Sequence, residues 1–331
     1  MTVQCKKLNK GALWLVLGGA FVLRLLLAAI TTGYSYDMGC FGAWAAKMAQ
    51  SGPAAFYSEG YFADYPPGYL YVLGAVGAVQ KIFGLDFDGA AFKMLLALVP
   101  AVCDCAAAWL VAQLGRRCLP DGRGVLCLMA FAALHPAALF DTAVWKQIDG
   151  AFTLPILLCF LLLETKNYLP AAIFYGVALS IKPQALLFGP VLAACFLAGI
   201  VLEQDRLRAF GRCFVGAALA VLPVLAAGLP FFGLRGLLPG LLDKYTGTVS
   251  GYPYASVNAF NWLAALGGNW QSLHAPALGG ISWRTLGMLG LLLVTATMAF
   301  FAYRSAVQGR FSPLLLAGFY GAGVFTLAHC M

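Results

Sequence analysis

Charged side chains are scarce in this chain, and their scarcity excludes most classes of protein. Of the 331 residues, 10% are charged and 62% are apolar, whereas a soluble domain has about 25% charged and about 45–50% apolar residues. The mean hydropathy of +0.83 excludes a soluble globule, a disordered tail and a secreted disulfide-rich domain. The sequence therefore predicts an all-α integral membrane protein that crosses the bilayer several times.

Acidic residues are the scarcer of the two charge types, with 13 Asp and Glu against 21 Lys and Arg. In a membrane chain the basic residues mainly set topology, so no nucleic-acid partner is expected. Metal-binding motifs are lacking too: Cys103-Asp-Cys105 has neither the spacing nor the partner pair of a zinc site. Five of the ten cysteines lie in apolar runs and are expected to be small buried hydrophobes: Cys103, Cys105, Cys127, Cys159 and Cys195.

A spanning helix needs about 20 mainly apolar residues, and about nine segments approach that length. The first follows Lys6, Lys7 and Lys10 and lacks the cleavage site of a signal peptide, which predicts a cytoplasmic N-terminus. The predicted spans lie near residues 11–32, 92–115, 124–140, 150–164, 168–181, 185–202, 213–232, 284–303 and 312–331.

Residues 68–84 are ambiguous, and charge decides their placement. If this segment spanned, most of the basic loops would move to the outer face, against the positive-inside rule. We therefore predict an interfacial or re-entrant helix there. Residues 33–91 and 233–283 then become long outer loops, rich in aromatic residues, Gly and Pro. Loops of this length are usually functional or disordered, and their composition predicts that they are folded. The whole chain, 1–331, is predicted to be a single transmembrane domain.

Two carboxylates of the first outer loop are candidate catalytic groups. Asp37 follows the first span and precedes an amphipathic helix that carries Trp44. It is either a helix cap or a base that takes a proton from an acceptor hydroxyl. Asp64 begins the stiff segment Asp64-Tyr65-Pro-Pro-Gly, where it either orients the turn or acts as a second carboxylate opposite Asp37.

The remaining candidates are substrate-binding residues near predicted outer ends of helices. An aromatic ring, an amide or an acid in such a place either contacts a sugar or belongs to an interfacial belt or a helix cap. Lys182 either pairs with a phosphate or extends its charged end to the membrane surface. Arg24 and Asp104 lie inside predicted spans, where ionisable groups are functional suspects. The substrate-binding candidates are Trp44, Tyr65, Trp145, Gln147, Asp149, Lys182, Gln184, Asn258, Asn261, Arg284 and His329.

Five of these motifs, in order along nearly the whole chain, resemble the GT-C superfamily of polytopic glycosyltransferases. They are most similar to bacterial relatives of the second GPI-anchor mannosyltransferase, and Asp64-Tyr-Pro-Pro is also similar to an element of the ER glucosyltransferases that use dolichyl-phosphate-glucose. The motifs are Asp37 with Trp44, Asp64-Tyr-Pro-Pro-Gly-Tyr69, Trp145-Lys-Gln-Ile-Asp149, Lys182-Pro-Gln184 and Ser256-Val-Asn-Ala-Phe-Asn-Trp262.

The resemblance implies a GT-C-type helix bundle that moves a hexose from a polyprenyl-phosphate sugar to a glycan or lipid-linked acceptor. Transfer would proceed with inversion, on the non-cytoplasmic face of a bacterial plasma membrane and without a metal or other cofactor. Asp37 would be the general base, Asp64 would support its loop, and Lys182 would contact the donor phosphate. The chain departs from the family at Lys146, where Gly is usual before Gln147. It also stops within a predicted helix at Met331, as a C-terminally truncated member would.

Three other interpretations were weighed against this one. A transporter or flippase of lipid-linked glycans predicts internal repeats and midplane charges, and the sequence shows no repeat and few such charges. A glycan polymerase or ligase would have Arg-rich outer loops, whereas the outer loops here are rich in acidic and aromatic residues. A membrane scaffold would not need two folded polar loops. A glycosyltransferase is therefore the favoured prediction.

Overall fold

A computed structural model describes residues 9–250 and 253–327 of the chain. Within these ranges the protein is built from α-helices, and β pairing is limited to three isolated bridges between residues 254 and 282. The helices are α1 (Lys10–Ile30), α2 (Ser35–Ser51), α3 (Pro67–Phe83), α4 (Ala90–Cys118), α5 (Gly122–Ala133), α6 (Pro136–Leu139), α7 (Asp149–Glu164), α8 (Tyr168–Ile181), α9 (Gly189–Leu202), α10 (Arg206–Ser250), α11 (Trp283–Val307) and α12 (Pro313–Leu327).

Six helical segments of the described chain are long and apolar enough to cross a membrane, and α8 and α12 are shorter apolar helices. The predicted all-α polytopic membrane protein is therefore confirmed. Six of the nine predicted spans overlap these six segments, and the other three, 150–164, 168–181 and 312–331, overlap the shorter helices α7, α8 and α12. Residues 328–331 lie outside the described part. The six segments are Lys10–Ile30, Ala90–Cys118, Gly122–Trp145, Pro183–Ile200, Arg206–Gly247 and Trp283–Val307.

The described helices group into two compact units. The first comprises Met1–Ala63 and Pro67–Leu157. Its apolar core forms between α1, α4 and α5, around buried residues such as Leu17, Ala112 and Met129. Helices α2 and α3 pack so closely that a Cβ atom on Gly77 would overlap the backbone carbonyl of Ala45. This contact requires glycine on α3, the helix that the sequence left ambiguous.

The second unit comprises Asp64–Pro66 and Leu158–Met331. Helix α8 packs against α10 at Gly176, where the Ala220 carbonyl leaves no room for a side chain. Helix α10 is 45 residues long, and Gly233 breaks it with a φ of 62° that glycine adopts at no steric cost. The chain continues as helix to Ser250, so the first third of the predicted outer loop 233–283 is helical.

A buried ion pair joins four elements of the first unit. Arg24 on α1 is fully buried, and its Nε donates to Asp104 Oδ2 on α4 at 3.0 Å. Its Nη1 donates to the Ala133 carbonyl at the end of α5 at 2.7 Å, and Thr142 Oγ1 donates to the same Asp104 oxygen at 2.7 Å. Asp104 thus bonds neighbouring segments of the first unit. Because polar groups in lipid must find partners inside the protein, this network fixes how α1, α4 and α5 pack.

Removing the acid of this pair tests its importance. Asp104→Ala is expected to destabilise the protein by about 3–5 kcal/mol, because the Arg24 guanidinium stays buried without a carboxylate. The measurement is the Tm of purified protein in detergent. The matched control is Glu203→Ala, which breaks the 2.7 Å Arg212–Glu203 pair, whose side chains are 23% and 35% exposed. Partly exposed pairs contribute only about 0–1 kcal/mol, so an equal fall in Tm for both variants would contradict the assignment.

Candidate active site

Asp37 lies in the first turn of α2 but does not cap the helix. The N-cap residue is Tyr34, and no side chain provides the capping hydrogen bond. The Asp37 carboxylate instead accepts two hydrogen bonds from a segment more than 100 residues further along the chain: Trp145 Nε1 donates to Oδ2 at 2.9 Å, and Gln147 Nε2 donates to the same oxygen at 2.5 Å. Three residues that the sequence analysis selected separately therefore meet at one atom.

The second oxygen of Asp37 is left available. Among the described residues, no donor reaches Oδ1, and the side chain is only partly buried. Both donors to Oδ2 are neutral groups, so they orient the carboxylate without cancelling its negative charge. The arrangement presents one fixed, charged oxygen that can accept a proton.

Local backbone geometry delivers the two donors to Asp37. Residues Phe140–Trp145 form a single π-helical turn, a feature that occurs frequently at functional sites. The turn ends at Lys146 in the left-handed conformation, with φ 70° and ψ 36°. The backbone then reverses, and the Gln147 amide donates to the Asp141 carbonyl at 2.9 Å. The reversal places the side chains of Trp145 and Gln147 on the same acceptor.

Tyr34 completes the connection between the two segments. Its amide donates to the Trp145 carbonyl at 3.3 Å, and the two aromatic rings lie 5.2 Å apart, centroid to centroid. A cavity of about 680 Å³ opens on an adjoining face of α2, lined by Thr32, Gly33, Tyr34, Ser35, Met38, Gly39, Gly42, Ala43, Ala46, Phe87 and Asp88. Its volume is within the usual range of small-molecule sites.

Two other predicted site residues of this unit have different surroundings. Trp44 is buried, and its Nε1 donates to the Phe62 carbonyl at 2.9 Å, which ties the chain before Asp64 to α2. Asp149 is the first residue of α7 and is half-buried. Neither side chain bonds Asp37, whose hydrogen-bond donors among the described residues are Trp145 and Gln147.

In the second unit, Lys182 follows α8 and its Nζ lies 5.8 Å from the centroid of the Tyr65 ring. This is a cation–π distance, so these two predicted binding residues are neighbours. Gln184 lies in the 3₁₀ turn Pro183–Phe188, and its Oε1 is buried without a hydrogen-bond partner. Asp64 begins the three-residue segment of this unit that holds Tyr65 and is half-buried.

Residues 253–283 form a folded segment around the buried side chains of Ala255, Leu263 and Trp283, as the sequence composition predicted. Asn258 has a φ of 54°, and its Oδ1 accepts a hydrogen bond from Trp270 Nε1 at 3.1 Å. Asn261 is buried, and its Oδ1 accepts the amide of Ala264 at 2.8 Å. Both line a cavity of about 570 Å³ with Ala259, Phe260, Ala264, Ala265 and Asn269.

The last two predicted contacts lie elsewhere. Arg284 is an exposed residue in the first turn of α11, and His329 lies outside the described residues. Within residues 9–250 and 253–327, no three His, Cys, Asp or Glu side chains form a group that could hold a metal ion. The sequence analysis missed Lys146 as a site residue, although its departure from the usual Gly of the motif was a signal.

The helical architecture is that of a polytopic membrane protein, and the family match defines its class as a glycosyltransferase. A family model, Glycosyltransferase family 87, matches residues 62–328, and the chain belongs to this family. The matched segment contains Trp145, Gln147 and Lys182, whereas Asp37 and Trp44 precede it. No curated protein matches the chain significantly.

Asn261 gives a test of its observed structural role. Asn261→Ala is expected to destabilise the helical turn 262–268 by about 1 kcal/mol, because the turn loses its capping acceptor. Asn261→Asp keeps an acceptor oxygen and should preserve the turn. Hydrogen exchange of the peptide covering 262–268 measures both variants. Unchanged exchange in Asn261→Ala would show that the cap does not hold this turn.

Proposed function

We propose that this family 87 member transfers a hexose, specifically mannose, from a polyprenyl-phosphate sugar to a hydroxyl of a glycan or lipid-linked acceptor. The reaction inverts the anomeric carbon and takes place on the non-cytoplasmic face of a bacterial plasma membrane, with the N-terminus in the cytoplasm. The observation that carries the proposal is the Asp37 carboxylate, which Trp145 and Gln147 orient through Oδ2 and leave open at Oδ1.

Asp37 has the properties of a general base in this reaction. The acceptor hydroxyl attacks the anomeric carbon, a C–O bond forms, and its proton passes to Asp37 Oδ1. The bond from the anomeric carbon to the phosphate oxygen breaks on the opposite side, and the lipid phosphate leaves with the electron pair. The neutral donors at Oδ2 hold the carboxylate in one orientation, so that Oδ1 faces the hydroxyl whose proton it receives.

The donor phosphate requires cations and hydrogen-bond donors, and we assign these roles by the chemistry of the side chains. Lys182 supplies an ammonium group beside the Tyr65 ring, and phosphate oxygens accept strong hydrogen bonds from such groups. Gln184 and Arg284 are further donors to the phosphate or the sugar, and Asp64 supports the loop that carries Tyr65. The exposed amides and aromatic rings around Asn258 suit hydrogen bonding and stacking with sugars. The Asp149 carboxylate suits hydrogen bonding with sugar hydroxyls.

The choice of mannose rests on the motifs that resemble the second GPI-anchor mannosyltransferase, including Asp64-Tyr-Pro-Pro and Trp145-Lys-Gln. Family 87 membership supports sugar transfer in general. The donor panel in the assay below therefore includes mannosyl, glucosyl and galactosyl polyprenyl phosphates, with mannose expected to transfer fastest.

Replacement of the base tests the proposal. Asp37→Asn keeps the shape of the side chain and removes its basicity, so the transfer rate should fall by about 10²–10⁴-fold. The assay measures radiolabelled sugar moved from each polyprenyl-phosphate donor to acceptor in proteoliposomes, and the anomeric configuration of the product reports inversion. Asp243→Asn, which neutralises an exposed acid on α10, is the matched control and should keep full activity.

Three results would overturn the proposal. Near-normal transfer by Asp37→Asn would remove Asp37 as the base, and a product with retained configuration would exclude the single displacement. No transfer by the wild-type protein from any donor, together with movement of the lipid-linked sugar across the bilayer, would show a flippase instead.

A further inference from the structure

Lys146 occupies a backbone position that disfavours its own side chain. Its φ of 70° places it in the left-handed region, which is unfavourable for an L-residue and which glycine adopts freely. It is also 2% exposed, and lysine is almost never fully buried unless its charge is partnered. Both costs fall on the residue between Trp145 and Gln147, the two donors to Asp37.

The contacts of the ammonium group show what offsets these costs. Lys146 Nζ lies 2.7 Å from Thr31 Oγ1 and 3.0 Å from the Thr31 carbonyl. It also lies 3.2 Å from the Ala143 carbonyl and 3.4 Å from that of Val144. Thr31 is the C-cap of α1, and the other two residues end the π-helical turn. Helix C-termini have unpaired carbonyls and partial negative charge, which a cation stabilises.

These two helix ends lead directly to the two halves of the catalytic contact. Three residues after Thr31 the chain reaches Tyr34, the N-cap of α2, and then Asp37. The next residue after Val144 is Trp145, which donates to Asp37. Thr31 Oγ1, which accepts from Lys146, is also 3.1 Å from the Ala143 carbonyl, so it bridges the same two ends. The ammonium is therefore at the junction of the segments whose spacing sets the Asp37 hydrogen bonds.

We propose that Lys146 is a positioning residue for Asp37: its ammonium group ties the end of α1 to the π-helical turn and thereby holds Trp145 and Gln147 on the carboxylate. This inference rests on the proposed role of Asp37 as the base. It predicts that the charge of Lys146, as well as the shape of its backbone, is required for fast transfer.

The same junction makes activity depend on pH. Burial, and to a smaller extent the positive charge of Lys93 on α4, lowers the pKa of Lys146 to about 8. Arg24 on α1 is paired with Asp104 on α4, and Asp141 lies on the π-helical turn itself. When Lys146 loses its proton, the amine has one donor fewer and presents a lone pair to the carbonyls. Transfer should therefore decrease as the pH rises through about 8.

Two substitutions at Lys146 separate charge from backbone strain. Lys146→Gly removes the ammonium but relieves the left-handed strain, whereas Lys146→Met removes the charge and keeps a long side chain. Both should lower kcat at pH 7 by about 10–100-fold, since a misplacement near 1 Å at a reacting group costs about that much. In both, the decrease near pH 8 should disappear. Lys47→Met, at another lysine of the same unit, is the matched control and should keep the wild-type kcat and pH profile.

Lys93→Met gives a sharper test, because Lys93 does not contact the proposed base. Removing its charge should raise the pKa of Lys146 and move the decrease in kcat to higher pH, with little change at pH 7. A merely structural role for Lys146 would not produce that shift. Hydrogen exchange of the peptide covering 31–38 gives a readout without substrate: it should be faster in Lys146→Gly, because the bond from the Tyr34 amide to Trp145 loosens.

The outcomes distinguish this inference from the proposed function. If Asp37→Asn is inactive but Lys146→Gly keeps the wild-type kcat, pH profile and exchange, the positioning role is wrong and the base stands. An unmoved pH profile in Lys93→Met would likewise contradict it. If Asp37→Asn is fully active, the proposed function fails, and Lys146 would then hold the two helix ends for another purpose, which the exchange measurement still detects.

Discussion

The hydrogen bonds from Trp145 and Gln147 to a single oxygen of Asp37 are the interaction on which the site depends. They join segments that lie more than 100 residues apart, and they can form only if α1 and the π-helical turn end at the same place. Polar groups near lipid must find partners within the protein, so each helix end here is satisfied by a specific side chain. Thr31 and Lys146 do this at the two ends that lead to Asp37.

The need of polar groups in lipid for partners within the protein also explains the packing around Arg24 and Asp104. Arg24 and Asp104 lie inside helices long and apolar enough to span, and they bond each other, the Ala133 carbonyl and Thr142. Thr142 belongs to the π-helical turn, so the buried ion pair and the Asp37 contact share one structural element. Gly150, the second residue of α7, lies so close to Asp104 that a Cβ atom would overlap its carboxylate. Packing in the membrane-embedded core and geometry at the candidate base are thus physically coupled.

Much of this arrangement could be predicted from the sequence. Composition and the length of the apolar runs predicted the all-α polytopic class. The order of the motifs predicted a glycosyltransferase, and family 87 membership supports that class. Asp37, Trp145 and Gln147 were all selected as site residues before their contact was known. Mannose, the polyprenyl-phosphate donor, inversion and the topology stay predictions.

The parts that sequence could not supply depend on backbone geometry and on partners distant in the chain. No periodic pattern in the sequence indicates the left-handed conformation of Lys146. The only signal for it is that lysine stands where the motif usually has glycine. The helical residues after Gly233 were expected in an outer loop, because the apolar span was predicted to end at residue 232. Asn261 was selected as a sugar contact, yet its oxygen caps a turn, a distinction that composition cannot make.

The central claim is that Asp37 Oδ1 accepts the proton of the attacking hydroxyl. The most direct measurement is an experimental structure of the protein in lipid nanodiscs with a non-transferable polyprenyl-phosphonate sugar and an acceptor bound. The account predicts that the acceptor hydroxyl lies within hydrogen-bond distance of Asp37 Oδ1, on the face of the sugar opposite the phosphonate, with Trp145 and Gln147 still bonded to Oδ2. An acceptor hydroxyl bound beside another carboxylate, with Asp37 remote from the anomeric carbon, would contradict it.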